Sequence, residues 1–349
     1  MNYRLFGPTG LRVSELALGT MTFGEEWGWG APKEESRRIF DAYAAAGGNF
    51  LDTANRYTEG TSERWVGEFV AAERERFVVA TKYSLFTRKG DPNAAGNHRK
   101  SLVQSLEASL ERMQLDYVDL YWVHAWDYLT PVDEVMRALD DVVRAGKALY
   151  VGISDTPAWI VARANMLAEL RGWTPFAGIQ VEYSLIQRTV ERELLPMARA
   201  LDLAVTAWGA IGGGVLTGKY NPDADAALRE QPGRLRSNPN AARRAERNLR
   251  IAEAVREVAR ETGRSAAQVA LNWVRHQPGK VVPILGARTL RQVEDTLGAV
   301  GWELDGDQRK RLDEASRIEA GFPHEFLQQP NIRDQVYAGT WERILDRRP

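Results

Sequence analysis

Residues 118–155 read VDLYWVHAWDYLTPVDEVMRALDDVVRAGKALYVGISD. Val118 to Val123 is a short apolar run rich in β-branched and aromatic residues, Val132 to Ala145 is an amphipathic helical stretch, and Leu149 to Ser154 is apolar again. Runs of that length and near-continuous apolarity fit strands covered on both faces. Pro131 stands where a first helical turn accepts proline, because the N–H it lacks has no partner inside the helix. The stretch therefore reads as strand, helix, strand, and two strands joined through a helix run parallel. One strand is closed by His124, the other by Ser154 and Asp155.

The same alternation extends in both directions. Strand candidates fall at Leu16 to Leu18, Asn49 to Asp52, Phe77 to Lys82, Ala177 to Glu182, Ala204 to Trp208 and Val281 to Ile284, which with the two above gives eight. Amphipathic stretches at Glu34 to Ala46, Lys100 to Met113 and Pro157 to Leu170 lie between them. Strands alternating with helices at roughly thirty-residue intervals, with no central linker, predict a (β/α)8 TIM barrel rather than two separate halves. YRLF and LRVS flank Gly7, Pro8, Thr9 and Gly10, so an N-terminal β-hairpin is expected to cap one barrel end. The period breaks between Trp208 and Val281: a long loop after the seventh strand (Gly209 to Asn240) precedes a long helix and a second one at Ala266 to Arg275. Extra C-terminal helices are expected near Asp305 to Ile318 and beyond. One domain spanning 1–349 is expected.

Composition narrows the function. The 46 Lys and Arg nearly cancel the 47 Asp and Glu, and no long block of one sign appears, which argues against a nucleic-acid partner. There is no cysteine, and His98, His124, His276 and His324 are scattered without an H-x-x-x-H pair, so neither a thiol nucleophile nor a metal centre is expected. The first residues, MNYRLFGPTGLRV, lack an apolar signal core, and no run approaches the length of a membrane span, so a cytoplasmic location with no membrane partner is expected.

Asp52 and Tyr57 in FLDTANRY, Lys82 in FVVATKY and His124 in VDLYWVHAWD stand at or just past strand ends, which a barrel gathers at its C-terminal mouth. Their chemistry fits hydride addition to C=O, which leaves an alkoxide that must be protonated as it forms. A phenol is a weak acid of pKa roughly 10. An ammonium beside Tyr57 is expected to lower that value, and a carboxylate at Asp52 to hold the ammonium charged and in place. His124 would donate a hydrogen bond to the carbonyl oxygen. Each residue also has a structural reading alone: a cap, a snorkelling lysine, a packed tyrosine, a histidine satisfying the backbone. The joint pattern favours catalysis.

From LALGTMTFG through FLDTA, GISD, IQVEYSLIQR and GGGVLTGKY to PILGARTLRQVEDTLGA, the chain resembles the aldo-keto reductase family, and GNHRKSLVQSLEASLERMQLDYVDLYWVHAWD resembles its aryl-alcohol-dehydrogenase-like branch. The resemblance implies that Asp52, Tyr57, Lys82 and His124 are a catalytic tetrad, and that NADPH or NADP+, less readily NADH, lies across the barrel mouth. It places Gly19, Thr20 and Met21 beside the nicotinamide and Asp52, Ser154, Asp155 and Gln180 around the cofactor. Trp208 then stacks on the ring, where a flat wall presents one face to substrate and excludes water. Gly209, Ala210, Ile211, Gly213, Leu216 and Lys219 fall in a diphosphate-covering loop, whose small residues let backbone amides approach phosphate. Gly286, Arg288, Gln292, Asp295 and Thr296 fall in an adenosine-phosphate clasp, with Arg288 suited to bidentate contact with the 2′-phosphate. Arg234 is a further phosphate candidate.

The chain departs from the family pattern at Asp155, where Asn is usual and a carboxylate removes an amide donor, at Asp295-Thr296, where Glu-Asn is usual, and at GAI after Trp208, where Ser-Pro-Leu is common. Gly213 to Lys219 also fits the first seven positions of G-x-x-x-x-G-K-[ST], but Tyr220 stands where Ser or Thr must hold magnesium, which disfavours a nucleotide hydrolase. Trp27, Trp29, Tyr83, Trp126, Phe322 and Phe326 suggest a mostly apolar substrate pocket, with Trp27 and Trp126 beside Tyr57 and His124 as substrate contacts; the same rings would serve equally as loop cores. Aromatic or medium-chain aldehydes and ketones are the expected partners. A cofactor-binding regulatory subunit and a phosphate-binding isomerase are the competing readings.

Overall fold

Two short strands, β1 (Tyr3–Leu5) and β2 (Arg12–Ser14), pair antiparallel with Tyr3 opposite Ser14 and Leu5 opposite Arg12. The hairpin delivers Phe6 into the end of a barrel. The computed structural model of the protein describes residues 1–221 and 245–345; Arg234 lies outside the described residues.

Eight parallel strands close on themselves. They are β3 (Ala17–Gly19), β4 (Phe50–Asp52), β5 (Val78–Tyr83), β6 (Val118–Val123), β7 (Ala148–Ser154), β8 (Phe176–Glu182), β9 (Ala204–Trp208) and β10 (Lys280–Gly286). Closure comes from β10, which sets Lys280 against Ala204 of β9 and Gly286 against Gly19 of β3. This is the expected (β/α)8 TIM barrel, its strand limits shifted by a residue or two.

Helices cover the outside: α1 (Lys33–Ala45), α2 (Thr61–Val70), α3 (Arg99–Met113), α4 (Val132–Arg144), α5 (Ala158–Arg171) and α6 (Leu194–Ala200). After β9 come α7 (Glu246–Thr262) and α8 (Ala266–Arg275); α9 (Leu290–Leu297), α10 (Gly306–Ala315), α11 (His324–Gln328) and α12 (Pro330–Val336) follow β10. The short α10 begins with a capping box: Asp305 accepts from Gln308 N, and the Gln308 side chain accepts from Asp305 N. No helix among the described residues is long and apolar enough to cross a membrane.

The barrel has two cores. A larger one lies between strands and helices, and a smaller one fills the barrel's closed end with Phe6, Ala17, Phe50, Ala80, Leu120, Trp122 and Val282 among others. Phe6 meets Phe50 and Trp122 edge-on, with ring centroids 5.8 and 6.2 Å away. Trp122 lies so close to β7 that a Cβ on Gly152 would stand 2.3 Å from its Cζ3, which only glycine avoids. Side chains alternate across a strand, so two residues beyond Phe50, Ala80, Trp122 and Gly178 the same inner face presents Asp52, Lys82, His124 and Gln180. The apolar plug and the polar site are thus consecutive layers of one interior.

Candidate active site

At the open mouth, Lys82 Nζ donates to Asp52 Oδ2 at 2.6 Å, to the backbone carbonyl of Thr53 at 2.8 Å and to Tyr57 Oη at 3.0 Å. An ammonium has three donors, and these use all of them. Asp52 Oδ1 accepts from Gln180 Nε2 at 2.9 Å. Asp52, Lys82 and Gln180 are buried, while Tyr57 and His124 are partly open. The two open rings meet edge-on, their centroids 5.8 Å apart. Thr20 fixes the end of β4 from behind, giving both its N–H and its hydroxyl to the Asp52 carbonyl.

Lys82 and Asp52 compensate each other. Burial disfavours the Lys82 charge, but Asp52 and Tyr57 outweigh it and raise the lysine above its ordinary pKa. Tyr57 departs from the expected lowering. Burial pushes the phenol up, Lys82 pulls it down, and burial prevails, because Asp52 absorbs part of the ammonium's field. The result is a phenol that stays protonated, with a cation 3.0 Å from its oxygen to stabilise the phenolate once a proton leaves. His124 is held well below the usual histidine value by burial and then by Lys82, so its ring is neutral near pH 7. Its Nδ1 is buried with no hydrogen-bond partner among the described residues.

The turn after β4 is held from outside the barrel. Thr58 (φ 44°) and Glu59 (φ 52°) are both left-handed, a conformation that a β-branched residue rarely adopts. The Thr58 hydroxyl donates to the Phe23 carbonyl at 2.6 Å, tying the turn to the loop after β3. Glu59 pairs with Arg56 and accepts from Trp27 Nε1 at 3.2 Å. Trp27 in turn meets Tyr57 edge-on at 6.5 Å, and Arg56 lies over the rings of Trp27 and Phe86. Sequence reading passed over Glu59 because, beside the local Arg56, its other partner Trp27 comes from a distant loop.

Farther round the mouth, Ser154 is buried, and Asp155 adopts a left-handed backbone (φ 44°) while giving its N–H to the Gln180 carbonyl at 3.2 Å. Trp208, half-buried at the end of β9, donates Nε1 to Asp155 Oδ1 at 3.2 Å. The Asp155 side chain is exposed at the open mouth, with Trp208 and Glu182 packed on its protein side. Its pKa is pushed up to about 6, by desolvation first; the Trp208 N–H opposes the rise, Glu182 adds to it and Lys82 opposes it. Glu182 lies two residues past Gln180 on the same face, so the strand's alternation was a signal that could have found it.

Beyond Trp208, Ala210 and Leu216 are buried in the core while Gly209, Ile211, Gly213 and Lys219 are partly open. Gly214 is left-handed (φ 91°), and a Cβ there would meet Lys219 Cε at 3.0 Å and Nζ at 3.1 Å, so the lysine head lies against bare backbone. Met21 is partly exposed, Gly19 buried and Gly286 exposed with open space on its Cβ side. Gln292 Oε1 accepts from Arg288 N at 2.8 Å, which fixes the turn entering α9. Asp295 and Thr296 are both hydrogen-bonded within the protein. Asp295 accepts from Ser265 Oγ and Gln268 Nε2 of the α8 entrance, and Thr296 is buried with its hydroxyl returned to the carbonyls of Gln292 and Val293.

The aromatic residues divide. Trp27 and Trp29 stand together near Tyr57 with centroids 5.6 Å apart, and Trp126 is partly buried against the main core. Tyr83 is fully buried, stacked on Tyr121 at 5.1 Å, and donates to the Asn97 carbonyl, so it belongs to the core and not to a pocket. Phe322 is 84 % exposed and touches Phe326 at 6.0 Å.

The model of the aldo/keto reductase family matches residues 15–317. The chain belongs to that family. This aldo-keto reductase is 38 % identical to a norsolorinic acid reductase of Emericella nidulans, over 97 % of this chain and 89 % of the relative. It is 37 % identical to an aryl-alcohol dehydrogenase of Pestalotiopsis microspora, with 93 % and 85 % covered. An aryl-alcohol dehydrogenase [NADP(+)] of Phanerodontia chrysosporium is 35 % identical, with 90 % and 86 % covered. The reductase is therefore an oxidoreductase of the carbonyl-reducing kind, and its resemblance to the aryl-alcohol-dehydrogenase-like branch is shared by these relatives.

Proposed function

We propose that this chain is an NADP(H)-dependent oxidoreductase that reduces aromatic or medium-chain aldehydes and ketones to alcohols, reversibly, as one barrel domain in the cytoplasm. The observation that carries the reading is the Lys82 ammonium shared between Asp52 and Tyr57 Oη. Tyr57 is the general acid in reduction and the general base in oxidation, Lys82 stabilises its phenolate, Asp52 holds Lys82 charged, and neutral His124 orients the carbonyl oxygen.

The residues fit a dinucleotide. Lys219 beside the bare backbone of Gly214 suits a diphosphate, and Gly286, Arg288 and Gln292 suit the adenosine phosphate. Asp295 steadies that clasp by tying α9 to the entrance of α8, and Thr296, its hydroxyl bonded to the Gln292 and Val293 carbonyls, packs behind it. Ser154, Asp155, Gln180 and Trp208 form the nicotinamide wall, flanked by Gly19, Thr20 and Met21. A bound nicotinamide supplies or accepts the hydride. Trp27 and Trp126 line the substrate side, consistent with relatives named for aryl alcohols and norsolorinic acid.

Titrating the protein with NADPH while following tryptophan fluorescence, then assaying a panel of carbonyls, tests the reading. Saturable quenching and turnover are expected, and R288A should weaken NADPH far more than NADH. Absence of quenching would overturn the assignment, and binding without turnover would favour the regulatory-subunit reading.

A further inference from the structure

Asp155 brings a carboxylate to the place where the proposed function puts the nicotinamide wall. Three constraints set its position. Its backbone is left-handed, which Asp tolerates better than most residues; its N–H is tied to the Gln180 carbonyl on β8; and its Oδ1 accepts the Trp208 indole N–H at 3.2 Å. The carboxylate is therefore locked to the edge of the ring wall itself. An asparagine would keep an oxygen for Trp208 and carry no charge.

We propose that Asp155 is a redox-state selector, favouring the oxidised, cationic form of a nicotinamide cofactor over the reduced, neutral form. This rests on the cofactor reading above. Both forms carry the same phosphates, so contacts with Lys219 and Arg288 cancel between them, and the difference is the charge on the ring. A carboxylate beside that ring attracts the cation and has no comparable interaction with the neutral ring. The other charged or titratable groups facing Asp155 are Glu182 on β8, Lys82 on β5 and Tyr57 on the turn after β4. Lys82 is paired with Asp52 at 2.6 Å, and its remaining pull on Asp155 ranks behind desolvation, the Trp208 N–H and Glu182, so it offsets the carboxylate only in part. The selector biases the enzyme towards holding the product cofactor of reduction, and towards alcohol oxidation when alcohol is abundant.

Dissociation constants for NADP+ and NADPH, measured by tryptophan quenching on the wild-type protein and D155N, test this without reference to turnover. The ratio of the NADPH constant to the NADP+ constant is expected to fall about tenfold in D155N. In the wild type the same ratio should fall as pH drops through about 6, where the Asp155 carboxyl takes up a proton, and in D155N it should stay flat. The pH series on the wild type needs no mutant to fold. An unchanged ratio in D155N together with a flat wild-type profile would overturn the selector while leaving the cofactor reading intact. Failure of the wild type to bind either nucleotide would overturn the cofactor reading and the selector with it.

Discussion

Gln180 Nε2 donates to Asp52 Oδ1 over 2.9 Å, joining β8 to β4 across the barrel interior. In the strand order these two strands stand opposite each other, with three strands between them on either side. Asp52 thus has one oxygen for Lys82 and the other for Gln180, and the amide oxygen of Gln180 is left for another donor. Q180A strips a buried carboxylate oxygen of its donor and is expected to cost about 1–3 kcal/mol of folding stability, read as a lower urea midpoint with an unchanged slope.

Tyr57 has the only phenol oxygen bonded to Lys82 among the described residues. Y57F should bind NADPH with affinity close to wild type, since Lys82 keeps both Asp52 and the Thr53 carbonyl. Reduction of 4-nitrobenzaldehyde should fall by on the order of 10²–10⁴-fold. Comparable turnover in the variant would remove Tyr57 as the acid.

Asp155 should also leave a mark on stability. Its folded pKa of about 6 lies above the ordinary carboxylate value of 3.8, so folding favours the protonated form. That contribution is complete below the unfolded pKa and is lost as pH rises through about 6, which leaves the ionised group costing stability at pH 7. Because the side chain is accessible, the cost is discounted to about 1 kcal/mol. D155N should therefore be more stable than wild type at pH 7 and indistinguishable from it near pH 4, by thermal unfolding at the two pH values.

Glu59 holds Trp27 in place through its indole N–H and also pairs with Arg56. E59A loses both contacts, whereas E59Q keeps an acceptor for Trp27. The KM for an aromatic aldehyde should rise about fivefold in E59A and less in E59Q, with kcat nearly unchanged and NADPH affinity intact. A fall in kcat without a change in KM would place Glu59 in support of Tyr57 rather than of the substrate wall.

What could be read from the chain was what repeats. The eight apolar runs predicted the strands, and Asp52, Lys82 and His124 were found because strand ends in a barrel converge. Helix α2 was missed: its sequence, TSERWVGEFV, buries Glu63, which pairs with Arg112 of α3 at 2.6 Å and accepts from Thr81 of β5 at 2.5 Å. That compensation exists only once three elements meet. The family pattern put Asp295 and Thr296 on the cofactor; what it did not carry is that Asp295 also accepts from Ser265 and Gln268 and that Thr296 is buried, contacts that depend on how α9 packs on α8. The Tyr57 shift was misjudged because proximity to a cation was legible and the depth of burial was not.

The hairpin adds Phe6 to a layer of strand side chains that already fills the barrel's far end, which leaves the mouth as the one way in. Nothing that enters past Trp208 and Tyr57 can leave by the far end, where Phe6, Phe50 and Trp122 interlock. Two ligands that share such a mouth cannot come and go independently. Whichever lies deeper would arrive first and depart last, an order that would follow from the packed layer of Phe6, Phe50 and Trp122 beneath the site.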